Sequence, residues 1–215
     1  MTSDPLLSPA DRRRFTTTIT TIIVLWFAAV VITAESGFLS SLWRPLIAAL
    51  VAASIALPTL WYFASPKLQA YMAEIGHRPI LIFHIWRIPA GLMFFWFGYH
   101  NQLPPAFWML AGTGDLAAGS YAAWLARRVE SAASYRSFHV FGFADFVTAV
   151  GTGLVFTLFF VDQHMVTITV LPMALVPLFG VGISGVTHLI AFDMLRKGVG
   201  FKGDPGFDKA VPRTA

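Results

Sequence analysis

The sequence predicts an all-α, polytopic integral membrane protein with six transmembrane helices and cytoplasmic N- and C-termini. Hydrophobic residues make up 56% of the chain and charged residues only 12%, whereas about a quarter of the residues in a soluble domain are charged. Six apolar runs are each close to or longer than the roughly 20 residues with which a helix crosses a bilayer. The basic residues fall almost entirely in alternate loops, and this pattern predicts the orientation of the helices.

The first apolar run starts at Phe15, after a polar segment, 1–14, that ends in three arginines. The run is longer than the apolar core of a signal peptide, so we expect a helix that stays in the membrane. The six runs cover about 15–34, 45–64, 79–100, 105–126, 137–161 and 166–195. We expect them to form a single domain, 15–195, followed by a mobile cytoplasmic tail, 196–215.

The distribution of lysine and arginine predicts which ends of the helices face the cytoplasm. Thirteen of the fifteen basic residues lie in the N-terminal segment, the loops at 65–78 and 126–137, and the C-terminal tail. By the positive-inside rule these parts are cytoplasmic. The net charge of +4 is then explained by anionic lipid, and nucleic acid is not expected as a partner. We expect a location in the inner membrane of a bacterial cell.

The loop after the second run has the pattern of a short amphipathic helix over about 65–76. Ser65 is a typical N-cap residue, Pro66 is suited to the first helical position, and Gly76 can end the helix. Apolar residues recur between them at helical spacing. Such a helix is expected to lie on the cytoplasmic surface of the membrane.

Five ionisable residues lie well away from the ends of the last four predicted helices: His84 and Arg87 in the third, Asp115 in the fourth, Asp145 in the fifth and His188 in the sixth. At a rise of about 1.5 Å per residue, all five fall at one depth in the cytoplasmic half of the bilayer. Isolated charges at that depth cost about 2.5–3.5 kcal/mol each. We therefore expect helices 3 to 6 to form a bundle around a buried polar site.

Prolines interrupt two of these helices. Pro89 follows Arg87 closely and removes a hydrogen bond from the carbonyl of Ile85, which predicts a kink there. Pro172 and Pro177 are expected to act in the same way in the outer half of the sixth helix. Broken helices around charged residues are a feature of transporters.

The remaining titratable residues are expected at the surface. Asp193 is followed by Arg196 and Lys197 at helical spacing, which predicts a surface ion pair. Three further histidines lie in or next to loops and are expected to be solvated: His77, His100 and His164.

The favoured functional hypothesis is a proton- or ion-coupled carrier of a small solute. Two carboxylates against one arginine leave excess negative charge, which attracts a proton or a cation. Asp115 or Asp145 would be the titrating group, coupled to Arg87. His139 lies near the cytoplasmic end of the fifth helix, about 120° around it from Asp145, and is interpreted as the point where protons enter or as an interface residue.

Two alternatives remain open from the sequence. His84 and His188, with Asp115 or Asp145 as a further ligand or base, could hold a metal or a haem in an enzyme or electron carrier. The chain has no cysteine, so thiolate ligation is excluded. The other alternative is a non-catalytic subunit in which the network only locks helices together, within a homo-oligomer or a larger membrane complex.

Overall fold

The computed structural model describes residues 7–128 and 131–201 and confirms the all-α class. Within these ranges the chain forms nine α-helices and no strand. The helices are α1 (Pro9–Glu35), α2 (Phe38–Ser41), α3 (Arg44–Ala64), α4 (Pro66–Ile75), α5 (His77–Phe83), α6 (Arg87–Tyr99), α7 (Pro105–Leu125), α8 (Ala132–Leu154) and α9 (Val181–Lys197). Shorter 3₁₀ segments occur at His84–Trp86 and Gln163–Thr169, and π-helical turns at Val155–Phe159 and Val176–Gly180.

Five helical stretches in the described residues are long and apolar enough to cross a membrane. They are Pro9–Glu35, Arg44–Ala64, His77–Tyr99, Ala132–Phe159 and Val176–Lys197. The fourth apolar run forms α7, a helix of 21 residues that packs between α6 and α8 and is not among the five candidate spans. Asp115 and three glycines make α7 less apolar than the five candidate spans.

Two helices begin earlier than the sequence pattern predicts. Helix α1 starts at Pro9 rather than Phe15, and α8 starts at Ala132, five residues before the predicted fifth run. In each case a serine, Ser8 or Ser131, accepts a hydrogen bond at 3.1 Å from the backbone N–H three residues further on. These caps stabilise an additional polar turn that hydrophobicity alone does not detect.

The prediction of one continuous helix over 166–195 is wrong in its first part. The chain instead forms the 3₁₀ segment Gln163–Thr169 and then a turn, and the spanning helix is Val176–Lys197. Pro172 and Pro177 lack the backbone N–H that an α-helix needs at these positions, which prevents the helix from extending further towards the N-terminus.

The predicted kink in the third span corresponds to a 3₁₀ segment, His84–Trp86, between α5 and α6. It contains Ile85, which lies four residues before Pro89. Because proline has no backbone N–H, the Ile85 carbonyl lacks the hydrogen-bond donor that it would have in a regular α-helix. The tighter turn places His84 and Arg87 at its two ends, and both side chains are buried.

Contacts between distant segments define two sides of the molecule. On the terminal side, Lys67 Nζ in α4 lies 3.2 Å from the Asp11 carboxylate in α1, and the backbone N–H of His77 donates to Gly200 O at 3.2 Å. Helix α4 is the helix predicted at 65–76, capped by the Ser65 side chain. The opposite side carries Phe38–Ser41 and Gln163–Thr169, which pack together.

Large apolar side chains cover the outside of the helices, for example Leu25, Leu57 and Trp96, which are 64%, 66% and 65% exposed. Charged side chains are buried inside. This inverse distribution is typical of a protein surrounded by lipid. Of the predicted mobile tail, 196–215, only the part up to residue 201 is among the described residues.

Two residues predicted at the surface, Asp193 and His77, are buried. The predicted ion pairs of Asp193 with Arg196 and Lys197 are present, but the Asp193 side chain is only 3% exposed and also accepts a hydrogen bond from Tyr62 Oη at 2.9 Å. His77 is 1% exposed, with Nε2 3.1 Å from Val199 O. The chain after α9 folds back over His77, a long-range contact that local sequence does not indicate.

Asp162 lies on the opposite side, outside the candidate spans. Its carboxylate accepts hydrogen bonds from the backbone N–H and from Nδ1 of His164, both at 2.8 Å. Burial raises the pKa of Asp162, but the hydrogen bonds from His164 together lower it by more than burial raises it. The resulting pKa is below the ordinary aspartate value. The His164 side chain is 57% exposed, consistent with the expectation of a solvated histidine.

Candidate functional site

Arg87 joins three helices through its guanidinium group. It is the first residue of α6, and it is 2% exposed. Its Nε donates to Asp115 Oδ1 in α7 at 2.6 Å, its Nη2 donates to the Asp145 carboxylate in α8, and its Nη1 donates to Gly142 O at 3.1 Å. All three nitrogens therefore have an acceptor. We refer to Arg87, Asp115 and Asp145 as the ionic network.

The ionic network contains two carboxylates and one guanidinium. The side chains of Asp115 and Asp145 are 9% and 11% exposed. With both ionised, the network has one excess negative charge. In a medium of low dielectric constant such a charge attracts a proton or another cation.

Small residues bring the backbones of these helices close to the charged groups. A Cβ atom at Gly114 would overlap the Asp145 carboxylate, and a Cβ at Gly91 would lie 2.8 Å from Gly112 O. Helices α6, α7 and α8 can approach this closely only with glycine at such positions. These glycines therefore lie where α6, α7 and α8 come into contact next to the ionic network.

An internal cavity of about 80 Å³ borders Arg87 and Asp115. From these residues it extends towards the opposite side, where Met165 and Ile168 line it. The walls are mostly apolar, and the volume accommodates a few water molecules. Asp115 is therefore the carboxylate of the network that faces the cavity.

Three histidines meet in the interior of the protein, and we refer to them as the histidine cluster: His84, His139 and His188. All three are 0% exposed. One nitrogen from each lies within 4.8 Å of the others. The His84 and His188 rings stack with centroids 4.2 Å apart, and His139 Nδ1 lies 2.9 Å from His188 Nδ1.

The hydrogen bonds determine the protonation of His84. The Thr187 hydroxyl donates to Ile183 O at 2.7 Å, with Ser184 O at 3.0 Å as a second acceptor. Because the Thr187 hydrogen is directed at these carbonyls, the 3.3 Å contact with His84 Nε2 fits the tautomer in which Nε2–H is the donor. In this tautomer the neutral ring has a lone pair at Nδ1, and Nδ1 has no hydrogen-bond partner.

The His139–His188 pair also leaves polar atoms unsatisfied. The two Nδ1 atoms share one proton, so one ring has a bare Nε2 and the other has Nε2–H. Both Nε2 atoms are buried and without a partner. Phenylalanine rings surround the pair, including Phe138, Phe143 and Phe146.

The histidine cluster and the ionic network are adjacent. A Cβ atom at Gly142 would lie 3.2 Å from His188 Nε2 and 3.5 Å from Arg87 Nη1. The imidazole and the guanidinium therefore lie against the same point of α8, and a bulky residue at position 142 would displace both.

The structure divides the residues predicted at the buried site into two groups. Arg87, Asp115 and Asp145 are in direct contact, but both carboxylates bind Arg87 and neither binds a histidine. His84 and His188 are together, and their third partner is His139 rather than a carboxylate. The His84 and His188 rings stack directly on each other, with centroids 4.2 Å apart, so a haem does not fit between them.

The position of His139 differs from the sequence interpretation. It is fully buried, not at an interface where protons enter from water. Its angle to Asp145 was the wrong reference, because Asp145 lies at the edge of the buried face of α8. The spacing of His139, Gly142 and Phe146, all buried, follows one helical stripe and would have placed His139 in the interior.

The model of the family described as Domain of unknown function (DUF8737) matches residues 43–196. The matched part begins just before α3 and ends within α9. It therefore contains the whole ionic network and the whole histidine cluster but not α1. No curated protein matches the chain, and no solved structure matches it.

Proposed function

The chain belongs to the family described as Domain of unknown function (DUF8737), and from its buried charges we propose that it is a proton- or ion-coupled carrier of a small solute. The observation that carries the proposal is that a single buried guanidinium contacts two carboxylates from different helices. The excess negative charge provides a place for a coupling cation, and the proton is the simplest one.

Exchange of partners at Arg87 offers a mechanism for coupling. When Asp115 is ionised it is held by Arg87, which closes the inner end of the cavity. Protonation of Asp115 from the cavity weakens that hydrogen bond, and Arg87 then remains paired with Asp145. A solute that enters with the proton can occupy the space next to Arg87. Asp115, the carboxylate that faces the cavity, is thus the coupling group, and Asp145 keeps its ion pair with Arg87.

The helix breaks near this site support movement around it. The 3₁₀ segment His84–Trp86 immediately precedes Arg87, and the π-helical turn Val176–Gly180 borders the cavity from the other side. Helix breaks of this kind are tolerated at membrane depth where protein or water covers them. They are suitable hinges for opening the site alternately to the two sides of a membrane.

The proposed topology has six membrane crossings, with α7 as the sixth. Its 21 residues are sufficient to cross a bilayer, and its charged residue, Asp115, is buried. Basic residues are concentrated on the terminal side. This favours cytoplasmic termini and a place in an inner membrane.

Flux measurements in proteoliposomes test the proposal. The purified chain is reconstituted with the pH-sensitive dye pyranine in the lumen, and a panel of solutes is added outside: amino acids, sugars, carboxylic acids and inorganic cations. We expect at least one class to acidify the lumen under an inward proton gradient. Asp115→Asn should abolish this acidification, because an amide cannot release the coupled proton.

Asp162→Asn is the matched control, because it neutralises an aspartate on the opposite side that is outside the ionic network, and we expect it to retain the flux. If folded wild-type protein moves no protons with any solute of the panel, proton-coupled transport of these solutes is refuted. Loss of assembly in Asp115→Asn, with no flux in any variant, would favour a network that only locks the helices together.

A further inference from the structure

The histidine cluster contains lone pairs that nothing in the described structure uses. His84 Nδ1 is an unprotonated acceptor without a partner, and one Nε2 of the His139–His188 pair is in the same state. Leaving a buried acceptor unsatisfied is costly, and native proteins rarely do so without a functional reason. Since all three rings are fully buried, bulk water does not compensate for the missing partners.

We propose that His84, His139 and His188 bind a divalent transition-metal ion of the zinc class. The site consists of three neutral imidazoles, and neutral imidazole is a preferred ligand of Zn²⁺, Co²⁺, Ni²⁺ and Cu²⁺. Mg²⁺ and Ca²⁺ need oxygen ligands, and both nearby carboxylates are bound to Arg87. The proposal is independent of transport, because metal binding is measured without flux.

The hydrogen bond between His84 and Thr187 also fits a metal site. The Thr187 hydroxyl accepts from His84 Nε2, which fixes the ring with Nδ1 as the free ligand atom. Histidine ligands of metals typically donate their other N–H in this way. Three histidines with a fourth position open to solvent or substrate are the ligand set of several catalytic zinc sites.

The charge of the neighbouring ionic network suits a divalent ion. The network contributes one negative charge next to the cluster, and a divalent ion with one anionic ligand such as hydroxide contributes one positive charge. The whole interior is then neutral. Without this balance, a divalent ion bound only by neutral ligands beside Arg87 would be strongly disfavoured.

Binding requires the three rings to draw together. Ligand atoms about 2.0–2.1 Å from a tetrahedral ion are roughly 3.3 Å from each other, whereas the three nitrogens are spread over as much as 4.8 Å. His139 Nδ1 and His188 Nδ1 are 2.9 Å apart, so both can bind one ion once the proton that they share moves to the bare Nε2 of its own ring. The remaining step is a rotation of the His84 ring that brings its Nδ1 closer to these two atoms.

The test uses the full chain, purified in detergent with any histidine tag removed, stripped with EDTA and titrated with Co²⁺. We expect one Co²⁺ per chain, visible absorption bands of a tetrahedral nitrogen site, displacement by Zn²⁺, and no displacement by excess Mg²⁺. Loss of an outer-shell partner weakens metal binding by 10–100-fold, so loss of a ligand in His139→Gln should weaken it by at least about a hundredfold.

His77→Gln provides the matched control, since His77 is equally buried but outside the cluster. It should bind Co²⁺ like the wild type. Equal affinity in His139→Gln and the wild type would overturn the proposal, as would a folded wild-type chain that binds no Co²⁺. If His139→Gln does not fold, the wild-type stoichiometry and spectrum decide the question alone.

Discussion

Removing the guanidinium from the ionic network should be one of the most destabilising single changes in this protein. Arg87→Met deletes two hydrogen bonds to carboxylates, each contributing about 1.5–3 kcal/mol. It also leaves two buried carboxylates without a cation, and breaking a buried ion pair typically costs about 3–5 kcal/mol. The hydrogen bonds give about 3–6 kcal/mol and the broken ion pair about 3–5 kcal/mol, so we expect the free energy of unfolding to fall by about 3–5 kcal/mol.

Unfolding by sodium dodecyl sulfate in mixed micelles measures this loss. Far-UV circular dichroism reports the helices, and the seven tryptophans provide an independent fluorescence signal. Arg128→Met is a suitable control, because Arg128 is exposed and stacks over the Trp124 ring with its guanidinium carbon 4.2 Å from the centroid. A cation–π contact at an exposed site is worth about 0.5–1 kcal/mol, so the control should lose no more than that.

A triple variant separates charge from packing. Arg87→Met combined with Asp115→Asn and Asp145→Asn removes the cation and both anions together. At least about half of the stability lost in Arg87→Met should return, since no uncompensated charge remains. A loss below about 1 kcal/mol in Arg87→Met, or a triple variant no more stable than the single one, would refute the reasoning.

Three further predictions concern single side chains. Gly114→Ala should lower the free energy of unfolding by about 3 kcal/mol through overpacking. Its control is Gly151→Ala, whose added Cβ meets no atom within 4 Å and which should be neutral or up to about 1 kcal/mol more stable. Equal effects of the two substitutions in a denaturant titration would contradict the close packing at Gly114. Tyr62→Phe should cost about 1–2 kcal/mol by removing a donor from buried Asp193, and an unchanged unfolding curve would argue against this contact. Because the folded pKa of Asp162 is depressed, its stabilising effect is present above the ordinary aspartate pKa and is lost as the pH falls through the folded pKa. The stability difference between wild type and Asp162→Asn should therefore shrink as the pH is lowered, and a constant difference would show that the carboxylate is not hydrogen-bonded.

Burial energies explain why the sequence predicts the ionic network. A lone arginine inside an apolar run needs a partner, and Asp115 and Asp145 are the acidic residues at its depth. This argument uses only the rise per residue along a helix and the charge of each residue, and both follow directly from the sequence. The structure has these three side chains in contact.

The histidine cluster required information that the sequence pattern does not contain. The stripe of His139, Gly142 and Phe146 indicates the buried face of α8, but the contact of that face with His188 in α9 results from packing between helices that are distant in sequence. The burial of His77 depends on residues after α9 folding back onto α5. The turn before Val176 could have been predicted, because Pro172 and Pro177 are both unfavourable inside a helix.

The sequence separation within the ionic network has a consequence for biosynthesis. Arg87 precedes Asp115 by 28 residues and Asp145 by 58, so the ribosome produces the cation well before either anion. During insertion the nascent third span therefore carries an unmatched charge, which costs about 2.5–3.5 kcal/mol on the insertion scale. Helices α6 and α7 are joined by a short loop, and entering the bilayer together as a hairpin would supply Asp115 at the moment Arg87 leaves the translocon.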